Sequence, residues 1–227
     1  MNAWTVIGVA GVAIVSITSH EAAHGFVADR LGDPTARERG RLTLNPIPHI
    51  DLIFTILLPM FLILSGSGFI FGGAKPVPVD VSRLRHPRRD WALVGAAGPV
   101  VNVIIAVGLT IVLSIATLVG LADSSSSLTE VLAVGIFLNA LLAVFNLIPM
   151  PPLDGSRVVQ YFLSGDALAL YLRLERFGLL IIMAAVFFVP QLQVPLSRAI
   201  FGLVMLITTP FGVSAVVGSA LRSVLVG

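Results

Sequence analysis

Long apolar stretches separated by short polar connections dominate the chain. Six windows are apolar over about 18 residues or more, the length that reads as a membrane-spanning helix: 1–19 continuing through His20, Glu21 and His24 to about Ala28, then 52–74, 91–122, 131–153, 177–197 and 199–221. They predict helices near 3–28, 91–121 and 130–150 as a three-helix core within residues 1–160. Two additional membrane helices are expected over 174–221. The first window carries no Lys or Arg before Ser19, so it reads as a retained helix rather than a cleaved leader.

The second window differs from the rest. Pro59 sits in its middle, and Ser65-Gly66-Ser67-Gly68 is a turn signal. Its stretch 52–64 makes ~20 Å of helix at 1.5 Å per residue, short of the ~30 Å hydrocarbon core. The reading is a re-entrant or hairpin element near 50–72, with a full kinked span as the alternative. Residues 41–45 and 75–79, which flank it, have short-strand character. They predict a small interfacial β-ribbon, in which Pro76 and Pro78 suit an edge.

Composition sharpens the picture. Hydrophobic residues make up 56% of the 227 positions and charged residues 11%, against roughly 25% charged in an ordinary soluble domain. Mean hydropathy is +0.99. So few charges cannot cover the surface of a soluble globule with that much apolar side chain. Soluble enzymes, nucleic-acid binders and disordered proteins are excluded. The fold class is an all-α polytopic membrane protein, one membrane-embedded domain over 1–227 whose partner is the lipid bilayer.

Charge then orders the topology. Arg30, Arg37, Arg39 and Arg41 precede the second window, and Lys75, Arg83, Arg85, Arg88 and Arg89 follow it. Positive residues favour the cytoplasmic side, so both clusters are expected there and the second window returns to the side it left. The N-terminus is then outside and the C-terminus in the cytoplasm, and among the basic residues only Arg198 lies near the outer face.

No cysteine is present, so a metal would be held by His, Asp or Glu. Residues 20–24 read His-Glu-Ala-Ala-His. Positions four apart share a helix face, so the two imidazoles can bind one zinc ion, and Glu21 can serve as general base toward water that the metal activates. Three ionisable groups in one turn of an apolar membrane helix are functional by default. Zinc in a catalytic site takes a third protein ligand. His49, Asp51 and His86 are candidates, but Asp51 reads as the cap of the second window, His49 as interfacial and His86 as solvated. Asp154 stands out. It follows Pro149, Pro151 and Pro152, which break the 131–153 helix at the depth where the first helix ends. Asn102, in an apolar run, is expected to hydrogen-bond to a neighbouring helix, with support of a ligand as a further role.

His20-Glu-Ala-Ala-His24-Gly25, Gly72-Gly-Ala-Lys-Pro-Val-Pro-Val79, Ala97-Gly-Pro-Val-Val-Asn102 and Asn146-Leu-Ile-Pro-Met-Pro-Pro-Leu-Asp154-Gly155 together resemble the site-2 protease family of intramembrane zinc metalloproteases, in a minimal form without PDZ or other appended module. The resemblance covers residues from about 14 to 158. It implies one Zn²⁺ per chain held by His20, His24 and Asp154, Glu21 as the catalytic carboxylate, and Asn146 on the substrate or oxyanion side. The implied activity is cleavage of a peptide bond within or near a transmembrane helix of a membrane-protein substrate, with the active-site mouth toward the cytoplasm. The alternative is a metal-binding membrane protein, a transporter or inactive scaffold, using the same ligands. Glu21 argues against it, because a transport site has no need of a non-ligand acid beside the first histidine.

Overall fold

The Asn2 side chain accepts a hydrogen bond from the Thr5 amide and caps a helix of 28 residues, α1 (Ala3–Arg30). The structure, a computed structural model, describes residues 2–57, 60–61, 64–65, 72–123 and 126–225. Beyond α1 the chain forms α2 (Thr35–Glu38), α3 (Pro87–Leu118), α4 (Ser127–Asn146), α5 (Asp154–Phe162), α6 (Gly165–Arg173), α7 (Glu175–Phe188), α8 (Pro190–Thr208) and α9 (Ser214–Leu225).

α1, α3 and α4 pack on one another, and α5 lies against α3. Asn2 Nδ2 donates to Ser127 Oγ at 2.7 Å and Thr5 Oγ1 to Glu130 Oε2 at 2.8 Å, so α1 and α4 start side by side. They run parallel, and α3 returns between them. A second apolar core joins Leu113 of α3 and Ile136 of α4 to Val204 of α8 and Val217 of α9. Four helical stretches are long and apolar enough to cross a membrane: Ala3–Arg30, Pro87–Leu118, Ser127–Asn146 and Gln191–Phe211. Trp4, Ile7, Ile104 and Leu206 point outward from them, which in lipid costs nothing. The chain is a multi-pass membrane protein.

Two expectations change. The region 174–221, read as two membrane helices, holds three. Val189 and Pro190 divide it, because proline has no N–H to continue the ladder and constrains the residue before it. α7 has 14 residues, ~21 Å of helix, and among the described residues only Gln191–Phe211 of this region meets the length of a span. No strand forms among the described residues, so the β-ribbon is absent there. In 41–45, Asn45 N–H turns back to Thr43 Oγ1 at 3.0 Å, and the Asn45 side chain accepts from Ile47 N–H at 3.1 Å. Such local side-chain bonds compete with a ladder. Residues 73–80 form neither helix nor strand, and Pro76 and Pro78 lack ladder donors. The Arg41 side chain bridges the two segments, with Nη2 at 2.8 Å from the Lys75 carbonyl.

Most of the 52–74 element beyond Leu57 lies outside the described residues. Its flanks meet at one end of the bundle. Arg85 N–H donates to the Leu31 carbonyl at 3.1 Å and Lys75 N–H to the His49 carbonyl at 2.8 Å, while Arg83 pairs with Glu38 at 2.8 Å.

Candidate metal centre

His20 and His24 sit one turn apart on α1 and are both buried. Asp154 begins α5, after the proline-rich break that ends α4 at Asn146. Asp154 Oδ2 lies 3.0 Å from His20 Nε2 and 3.2 Å from His24 Nε2. The three side chains each bring one ligand atom within 4.8 Å of the others. Among the candidates for third ligand, then, the fold brings Asp154 to the histidines. His49 is buried, with Nε2 at 3.0 Å from the Thr43 carbonyl. Asp51 accepts from Ile53 N–H at 2.9 Å, as a cap does. His86 is largely exposed near Asp90.

The far side of each imidazole is also fixed. His20 Nδ1 lies 2.6 Å from Asn102 Oδ1 and His24 Nδ1 2.7 Å from the Val94 carbonyl. Each Nδ1–H therefore has an acceptor, which aims both Nε2 atoms at Asp154, as supporting hydrogen bonds do in metal sites. Asn102 is held in turn. Its Nδ2 donates to Asn139 Oδ1 at 2.8 Å, and Asn139 Nδ2 donates to Ser16 Oγ at 2.8 Å. This chain crosses α1, α3 and α4 with its buried amides satisfied, which a buried polar network requires. Asn102 thus makes the expected hydrogen bond to a neighbouring helix, and one of its partners is His20.

The aspartate is set by its own helix. Arg157, one turn on, places Nη1 3.1 Å from Asp154 Oδ1. Its guanidinium stacks 4.5 Å from the Trp91 ring, and Trp91 Nε1 donates to Gln160 Oε1 at 3.1 Å. Burial alone would raise the Asp154 pKa, but the nearby imidazoles of His20 and His24 and the charge of Arg157 outweigh it and hold the carboxyl well below the usual carboxylate range. Two oxygens and two imidazoles, one carboxylate oxygen already engaged by arginine, make a donor set that suits zinc.

α3 reaches this group only because it lacks side chains there. A Cβ on Gly98 would stand 2.6 Å from Nε2 of both His20 and His24, and one on Gly95 would stand 2.8 Å from Arg157 Cβ and from the Asp154 carbonyl. Glu21 lies beside the ligands rather than among them, and its Oε2 accepts from Val77 N–H at 3.0 Å. Asn146 turns back on its own helix, donating to the Leu142 carbonyl at 2.9 Å, and its hydrogen bond does not reach the histidines. An apolar groove of about 500 Å³ runs along a different face of α1 from the histidines, between Ala23, Phe26 and Val27 on that helix, Leu44, and Ala97 and Val101 of α3.

Sequence reasoning missed Arg157, Asn139 and the backbone of Val77. Arg157 carried a signal, its i,i+3 spacing from Asp154 on one helix face. Asn139 carried a weaker one, as a lone amide in an apolar helix.

Fold and site together define a polytopic membrane protein with a buried His-His-Asp group suited to a metal. The model of peptidase family M50 matches residues 112–189. YwhC of Bacillus subtilis (strain 168), named as a zinc metalloprotease, is 40% identical over 171 residues, 74% of this chain and 74% of its own. The Rip2 proteins of Mycolicibacterium smegmatis and Mycobacterium tuberculosis H37Rv, which carry the same kind of name, are each 31% identical, over 74% and 79% of this chain and 62% and 66% of theirs. No solved structure matches. The chain belongs to peptidase family M50, the assignment that its motif resemblance to the site-2 proteases anticipates.

Proposed function

We propose that the protein is an intramembrane zinc endopeptidase that cleaves a peptide bond within or near a transmembrane helix of a membrane-protein substrate. The observation that carries this reading is the convergence of His20, His24 and Asp154 on a membrane helix, with Glu21 on the next residue and outside the ligand set. His20, His24 and Asp154 would hold the ion. Zinc in such a site polarises the scissile carbonyl and makes water acidic enough to ionise near pH ~7. Glu21 takes the proton from the attacking water and returns it to the leaving amine. Asn102 and the Val94 carbonyl keep both imidazoles aimed, and Arg157 keeps the Asp154 carboxylate turned to them. Asn146 would have to leave the Leu142 carbonyl to meet an oxyanion.

We place the metal group toward the cytoplasm and the N-terminus outside. The basic residues of both connections gather at the end of the bundle where α1 stops, and the hydrogen bonds between those connections support a second window that re-enters rather than spans.

Glu21→Gln is the decisive test. The amide fills the same volume and cannot take the proton. Cleavage of a single-span substrate by purified protein should fall by ~10²–10⁴-fold, with zinc content unchanged. Undiminished cleavage, in a preparation free of other proteases, would remove the reading.

A further inference from the structure

The irregular segment 73–80 lies across the end of α1 as a strap fixed at several points. The Gly73 carbonyl accepts from Thr55 Oγ1 at 2.6 Å. Lys75 N–H donates to the His49 carbonyl at 2.8 Å, and Arg41 Nη2 reaches the Lys75 carbonyl at 2.8 Å. Asp80 N–H donates at 2.7 Å to Oδ2 of Asp33, a fully buried side chain. In the middle, the Val77 side chain seats against α1 where Gly25 has no Cβ. A Cβ there would stand 2.9 Å from Val77 Cγ1.

At that point Val77 N–H meets Glu21 Oε2 at 3.0 Å. The sequence around it is Lys75-Pro76-Val77-Pro78. Proline has no N–H, so Val77 supplies the sole amide donor between Lys75 and Val79. Each proline also biases the residue before it, Lys75 and Val77, toward extended backbone. The tripeptide is therefore stiff and presents one donor.

We propose that Pro76-Val77-Pro78 is a positioning device for the catalytic base, in which the Val77 amide holds Oε2 of Glu21 and leaves Oε1 to the attacking water. A carboxylate on a mobile side chain has two equivalent oxygens and several rotamers. One fixed backbone donor selects an oxygen and a rotamer before substrate arrives, and the flanking prolines keep a second strap amide from occupying the oxygen that must take the proton. This assignment rests on Glu21 as general base. It also withdraws Val77 N–H from pairing with an incoming substrate strand.

Two measurements test it. The first needs no substrate and so stands apart from the protease reading. In hydrogen exchange of the full-length protein, a peptide covering 75–79 carries few exchangeable amides, because residues 76 and 78 have none. Glu21→Ala should speed exchange at Val77 while Lys75, bonded to the His49 carbonyl, keeps its protection. Unchanged exchange at Val77 would overturn the contact. In the second, α-hydroxyvaline replaces Val77 and turns only that amide into an ester. Hydrogen bonds to charged groups have strengths that correspond to about 10- to 100-fold in rate, so kcat should fall by that factor with KM and zinc content held. The same ester at Val79 is the control and should leave kcat unchanged. Equal losses at both positions, or none at Val77, would overturn the positioning role.

Discussion

At the scale of single residues, the centre shows which parts of a site a sequence can display. His20, Glu21 and His24 were legible because helical periodicity alone puts them on neighbouring positions of one turn. Asp154 was legible because the prolines before it break a helix at matching depth. The groups that aim these side chains were not, since they come from remote elements. Asn102 meets His20 across 82 positions and Asn139 meets Ser16 across 123, and a lone amide in an apolar run does not name its partner. Their contribution is measurable. Asn102→Ala leaves His20 Nδ1–H without its acceptor, and loss of such supporting bonds typically weakens metal affinity by ~10–100-fold. Competition against a chelating dye should show that drop in Asn102→Ala, and in Arg157→Ala through its hold on Asp154 Oδ1. Affinities equal to wild type in both would mean that the ligands orient themselves.

At the scale of elements, the three-helix core followed from hydrophobic runs, whereas its tightest contact followed from absent atoms. Gly95 and Gly98 share a face of α3, and the residues they would strike are Arg157, Asp154, His20 and His24. Small residues in a membrane helix announce a close approach, but not to what. The strap is the converse case. Its two prolines were read as marks of a sheet edge, and the same missing donors are why no ladder forms there. The glycines can be separated by experiment. Gly98→Ala should abolish stoichiometric zinc binding, because α3 must shift or the histidines must turn. Gly108, also within α3, has nothing within 4 Å of its Cβ position. Gly108→Ala should leave zinc content unchanged and, by helix propensity, raise stability by up to ~1 kcal/mol. Metal analysis of the purified variants, with a thermal melt of the second, checks both. Full zinc content in Gly98→Ala would show that the close approach of α3 is not required.

At the scale of the whole molecule, charge counting and geometry meet on one question, which side of the membrane each connection faces. The connections before and after the second window are tied by the Arg83–Glu38 pair and the Arg85 to Leu31 hydrogen bond, so they meet at one end of the bundle. The other end of the bundle carries the start of α1, the start of α4 and the end of α3. Ser114 Oγ donates to the Phe211 carbonyl at 3.2 Å, which puts the turn after α8 at that far end too. α8 thus runs from the site end outward, antiparallel to α4. α7, with 14 residues, is shorter than a span, and α9 begins at that far end. Its 12 residues extend ~18 Å, short of a second crossing. The cytoplasmic C-terminus read from the sequence depended on two spans after Leu174, so the side of Arg222 becomes a test of how the last helices are divided. The native chain has no cysteine, so single-cysteine variants can be labelled directly in sealed vesicles of known orientation. Arg39→Cys and Arg85→Cys should react from the cytoplasmic side, and Leu121→Cys and Arg222→Cys from the outside. Arg85→Cys reacting with Leu121→Cys would make the second window a full span. Arg222→Cys reacting with Arg39→Cys would restore two crossings after Leu174, with α7 and the start of α8 forming the first of them.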